Sequence, residues 1–128
     1  MLPVAATPAP DPGSDAEPVS RVTVQDAVLE HPVPVARIET RRITIQPGFA
    51  AGLHVHNGPV VGSIESGSAI YQVDGEAERV LSPGDVFYEP AGARIARFDG
   101  GSDGVTFLAH FPLASGQHAA IEFPNEEG

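Results

Sequence analysis

The chain contains no cysteine and no lysine; all seven of its basic residues are arginine. Without cysteine there are no disulfides, no thiolate metal sites and no cysteine nucleophile. Without lysine there is no Schiff-base chemistry and no lysine general base. Basic charge is scarce overall: seven arginines face 17 acidic residues, for a formal net charge of −10. Nucleic-acid backbones need a basic surface, so nucleic acid is excluded as a partner class. The same deficit argues against an anionic membrane surface. No apolar run is long enough to span a bilayer as a helix.

With 128 residues the chain fits one domain with one respectable core. The segment from Leu2 to Pro18 carries five prolines among Ala, Asp and Ser residues. It predicts a flexible leader over residues 1–20, followed by one domain over 21–124 and an acidic tail over 125–128. The N-terminus lacks the basic start and sustained apolar centre of an intact secretory signal. Compartment stays open between cytoplasm and export after loss of such a signal.

From Val19 onward the pattern is one of short strands. Strand-like stretches run over Val22–Leu29, Val33–Ile45, Leu53–His56, Val60–Ile64, Ala69–Val73, Ala77–Leu81, Val86–Glu89, Arg94–Phe98 and Val105–Phe111, with another near Ala119–Phe123. Turns separate them, including Glu65-Ser66-Gly67, Asp74-Gly75, Ser82-Pro83-Gly84-Asp85 and the glycine-rich Asp99–Gly104. Asp-Gly between alternating apolar runs is a strong hairpin signal. No stretch from Val33 to Phe111 holds a helical period over three turns. The fold class is all-β, a sandwich or barrel.

The chemistry concentrates at His54-Val55-His56. Residues two apart on a strand share a face, so both imidazoles can reach one point. Paired imidazoles commonly ligate divalent transition metals.

The stretch Gly48-x5-His54-x-His56, followed by Gly67, resembles the first motif of the cupins. Gly84-Asp85-Val86-Phe87-Tyr88-Glu89-Pro90-Ala91-Gly92 resembles the second, with matching spacing from Gly84 to Pro90 and Gly92. Tyr71–Glu76 resembles the central hairpin, so the likeness covers roughly Val33–Phe111. The resemblance implies a cupin-type double-stranded β-helix, a jelly-roll barrel. It also implies a metal held by two histidines and a glutamate from the first motif and one histidine from the second. His54 and His56 match. The glutamate position falls at Val60 or Val61 and the second-motif histidine at Ile95, so two of the four implied ligands are present. Family resemblance also implies a homodimer.

His110, on the last strong strand, is the candidate third ligand from across the barrel. Val60, Ile95 and Arg97 are the ligand-pocket candidates; if Ile95 points inward, as the family's histidine does, Arg97 two residues on shares its face. Glu65 and Glu89 read as local turn or strand-end carboxylates. Tyr71, Tyr88, Phe87 and Phe98 read as core residues.

Three functions follow. First comes a barrel binding a small organic molecule beside an incomplete metal site. Second is a metal-dependent enzyme of oxygenase or isomerase type using His54, His56 and a non-standard third ligand. Third is a metal-free enzyme with a histidine general base. The cofactor is accordingly one divalent transition metal (iron, manganese, nickel or zinc) or none.

Overall fold

A computed structural model describes residues 18–124. Most of the expected leader, residues 1–17, and the acidic tail, 125–128, lie outside the described residues. Seven strands run in the order β1 (Arg37–Ile45), β2 (Val55–His56), β3 (Val60–Val73), β4 (Arg79–Leu81), β5 (Val86–Glu89), β6 (Ile95–Leu113) and β7 (Ile121–Glu122), with no helix among the described residues. The larger sheet has the order β1-β6-β3-β4, with β5 also paired to β3; β2 and β7 form a separate two-stranded ribbon. Every pairing is antiparallel.

Two expected turns are absorbed into long strands. Glu65-Ser66-Gly67 lies inside β3, where the register with β6 slips between Ile64 and Ser66. The glycine-rich Asp99–Gly104 lies inside β6, where residues 101–104 stand opposite Ser68 alone. Glycine makes this possible. At Gly67, with φ of 75°, an added Cβ would collide with the Gly104 carbonyl oxygen. The backbones of β3 and β6 thus meet where neither has a side chain, and the pair bends through an irregularity instead of ending. Outside this point the sequence pattern holds: Val86–Glu89 is a strand as expected, and Asp74-Gly75 joins β3 to the chain leading into β4.

The Val22–Leu29 stretch, for all its β-branched residues, joins no ladder. It runs along the barrel, with the Gln25 side-chain amide donating to the Phe87 carbonyl at 3.2 Å. Val22 and Val28 stay about four-fifths exposed (81% and 80%), so burial does not reward strand formation there.

Alternate residues of β3, β5 and β6 face inward and form the core. Phe98 stands at the centre of an aromatic cluster, its ring centroid 5.5 Å from Tyr71, 5.2 Å from Phe87 and 4.6 Å from Phe107. Each such ring buried contributes on the order of 1.5–3 kcal/mol, with geometric preference for tilted contacts. Three of these rings, Phe87, Phe98 and Phe107, also wall the cavity that holds the site.

Candidate metal centre

His56 lies on β2, which pairs with β7 apart from the larger sheet, and His54 immediately precedes it. The His54 backbone is fixed by a two-way bridge to Ile95: its N–H donates to the Ile95 carbonyl at 3.0 Å, and its carbonyl accepts from the Ile95 N–H at 2.8 Å. The ring is fixed as well. Its Nδ1 lies 2.9 Å from the Gly52 carbonyl oxygen. A carbonyl oxygen only accepts, so Nδ1 carries the proton and Nε2 faces the interior. The two imidazoles stand nearly perpendicular, 82° apart with centroids 5.1 Å apart.

The third donor is Glu89. Its Oε1 lies 2.9 Å from His56 Nε2 and 3.9 Å from His54 Nε2. Donor atoms of His54, His56 and Glu89 all fall within 4.8 Å of one another. Glu89 is 2% exposed and His54 4%. The expected two-ligand site is therefore corrected to a group of three. Alternation along β5 aims Phe87 and Glu89 inward, and Glu89 pairs directly with Val60 on β3. The acid missing from the first motif is supplied by the cross-strand neighbour of the position where the motif carries it.

The electrostatics of this trio oppose burial. Burial pulls His54 toward its neutral form, but contact with Glu89, the Gly52 carbonyl and the charges of Glu89 and Asp99 outweigh it. The net shift is above the usual histidine value. Burial likewise pushes the Glu89 carboxyl up, and the two imidazoles hold it below the usual glutamate value. Glu89 Oε2 is buried without a hydrogen-bond partner among the described residues, as is the Tyr71 hydroxyl. A buried carboxylate oxygen with no partner is costly. Two imidazole nitrogens and a carboxylate converging in a dry pocket fit a divalent cation, whose charge would offset the acid and occupy the lone pairs.

The group lies in a cavity of about 200 Å³, walled by Ile43 and Ile45 from β1, Val60, Phe107, Ala109 and Phe111, with Ile121 of β7 across the opening. Among the lining residues only His54, His56 and Glu89 titrate. The segment that carries Ile121 is held by Asn57, whose side-chain amide donates to the His118 carbonyl at 2.9 Å and accepts from the Ala120 N–H at 3.0 Å.

The other sequence candidates separate. Val60 lines the cavity. Ile95 is fully buried but acts through its backbone, placing His54; its side chain is core. Arg97 is corrected: β6 bulges at Ala96, so Gln72 pairs with Arg97 while Val73 pairs with Ile95. The bulge reverses the face after Ile95, and Arg97 lies outside, bound to Asp99 and Glu78. His110 is also corrected. Phe107, Ala109 and Phe111 take the inner face, leaving His110 on the outer one, where its Nδ1 meets Thr40 Oγ1 at 2.8 Å. Glu65 pairs with Arg42 on the same outer surface. Glu89 was the residue that sequence reasoning passed over. Its one signal was an acid at the inward parity of Phe87.

A family model described as a cupin domain matches residues 41–97. Comparison with curated protein sequences finds no match. Among solved structures, the chain is similar to the DMSP lyase DddQ from Ruegeria pomeroyi DSS-3, with 21% identity and a TM-score of 0.61 over 71% of this chain and 45% of that one. It is similar to an oxalate oxidase in complex with the substrate analogue glycolate, with 21% identity and a TM-score of 0.57 over 67% and 45% of the two chains. A cupin-like protein from Thermotoga maritima shares 20% identity and a TM-score of 0.58 over 70% and 68%. The chain spans under half the length of the lyase and oxidase chains. The cupin-domain match from within β1 to the start of β6, together with the barrel and its topology, shows that this chain has the cupin fold.

Proposed function

We propose that this chain is a metal-dependent cupin, holding one divalent transition metal on His54, His56 and Glu89 and acting on a small organic molecule in the cavity beside them. The carrying observation is the convergence of the three donors, with Glu89 Oε2 buried and unpartnered. Three protein ligands with further positions open is the donor pattern of catalytic metal sites, and two histidines with one carboxylate suits non-haem iron in particular. Bound there, the metal would supply Lewis acidity or a site for small-molecule coordination.

The chain's own residues do the rest. Gly52 holds the His54 ring in the tautomer that presents Nε2. Ile43, Ile45, Phe107 and Phe111 keep the site dry and give an organic ligand an apolar wall. A cavity of about 200 Å³ lies below the range of about 300–1,000 Å³ typical of drug-sized ligands. That size favours a substrate of few heavy atoms, the class to which the oxidase's glycolate belongs.

A second reading has its own observation. His56 Nε2 and Glu89 Oε1, at 2.9 Å, could serve without metal as an acid–base pair. Plasma mass spectrometry on the protein, on Glu89→Gln and on His54→Ala/His56→Ala separates the two. Near-stoichiometric metal that falls in both variants, with a thermal shift on reloading, supports the metal centre. Protein that takes up no metal after reconstitution, and is not stabilised by it, leaves the acid–base pair.

A further inference from the structure

The cavity is apolar apart from the metal-binding trio, yet one cation stands just outside its lining. Arg41 pairs across β1 and β6 with Ala109, a lining residue, and precedes the lining Ile43 by one full strand repeat. Residues opposite each other, and residues two apart on one strand, share a face. Arg41 is thus the residue on the inner face of β1 next outward from the cavity. Its guanidinium carbon lies 5.0 Å from the centre of the Phe111 ring. Phe111 lines the cavity and packs against His56 with ring centroids 6.2 Å apart. The stacking and a 2.7 Å bond from Nε to Glu39 Oε2 hold the guanidinium at the rim. Among the described residues its hydrogen bond to a carboxylate is made through Nε and not through the terminal nitrogens, and the side chain is 45% exposed. Arg42, by contrast, sits on the outer face and is engaged through both Nε and a terminal nitrogen by Glu65.

We propose that Arg41 is a specificity-determining residue, and that the cavity takes small organic acids. The substrate carboxylate is captured at the rim by the Arg41 fork, and the apolar body lies along Phe111 toward the metal-binding trio. A planar guanidinium with its terminal nitrogens available matches a carboxylate bidentately. Apart from the metal-binding trio no polar side chain lines the cavity, so the chemistry of recognition is one anionic end on an apolar stem. This assignment rests on the cavity being the binding site of the proposed function, and it deepens that reading by naming the substrate class.

Isothermal titration of metal-loaded and metal-free protein with butyrate and with butyramide tests it, alongside Arg41→Gln, Arg41→Lys and Arg42→Gln. Thermal melts and metal content are read on the same samples. Butyrate is expected to bind more tightly than butyramide. Arg41→Gln should weaken butyrate at least tenfold, Arg41→Lys by an intermediate amount, and Arg42→Gln by less than twofold. Butyrate affinity unchanged in folded Arg41→Gln, equal binding of acid and amide, or no butyrate binding at all would each overturn the proposal. Metal content reports separately on the metal centre. Arg41-dependent butyrate binding in protein that takes no metal upholds the carboxylate site and overturns the metal reading. Stoichiometric metal with Arg41-independent binding does the reverse.

Discussion

Glu89 on β5 and Val60 on β3 are direct partners across an antiparallel pair, and both side chains are 2% exposed on the same inner face. Directly opposed residues have Cβ atoms only about 5 Å apart. A carboxylate can therefore move from one strand to the other and still serve the same point. The site's acid is thus expected to be interchangeable between two positions far apart in sequence.

Exchange of the two side chains tests this. Glu89→Val alone is expected to weaken metal binding by at least about 100-fold, more than loss of an outer-shell partner does. Adding Val60→Glu should return most of that affinity, because the acid re-enters from the opposing strand. Metal titration of both variants decides it; a double variant no better than Glu89→Val would show that only the β5 backbone aims the carboxylate correctly.

The pH dependence of the metal-free protein has a definite sign. His54 is raised above the usual 6.5, so its stabilising contribution is full below that value and is lost as pH rises through the raised one. Glu89 is lowered from the usual 4.5, so its contribution is full above that value and is lost as pH falls through the lowered one. The pair therefore stabilises the metal-free protein most between pH 4.5 and 6.5. Metal requires the unprotonated imidazole, so metal affinity should climb with pH through the His54 transition. Urea unfolding against pH, with and without metal, should show the optimum moving upward on loading.

Gly67 and Gly75 both adopt positive φ, at 75° and 88°, but in different surroundings. An added Cβ at Gly75 meets nothing within 4 Å, whereas at Gly67 it meets the backbone of Gly104. Gly75→Ala should cost about 1–2 kcal/mol, the conformational penalty alone. Gly67→Ala should cost about 3 kcal/mol or more, since overpacking against backbone adds to it. Equal losses in chemical denaturation would show that β3 and β6 can separate at the bend.

Asn57 secures the segment bearing Ile121 through two hydrogen bonds, while β2 and β7 share only the pairs Val55–Glu122 and His56–Ile121. Each such bond contributes about 0.5–1.5 kcal/mol. Asn57→Ala is expected to speed amide exchange over residues 118–123 by about tenfold or more, leaving β6 protected as before. Uniform acceleration across the barrel would mean that this segment is part of the global core rather than a locally opening cover.

Much of the protein was written in local pattern. Alternation announced the strands, the Asp74-Gly75 hairpin and the His54/His56 pair, because a period of two and the needs of a turn are properties of neighbouring residues. The spacing of glycines and Pro90 carried the resemblance that the family match upholds. What neighbouring residues do not encode is where alternation breaks and which strand lies opposite. The bulge at Ala96 turned Arg97 outward, and the packing of Phe107 and Phe111 assigned His110 to the outer face. Strand pairing alone made Glu89 the partner of Val60 and of the two histidines, and brought Arg41 over Phe111. Faces and registers are settled by burial of the whole set of strands at once. The sequence therefore determined the barrel and half of the site, and tertiary packing decided the acid that completes it.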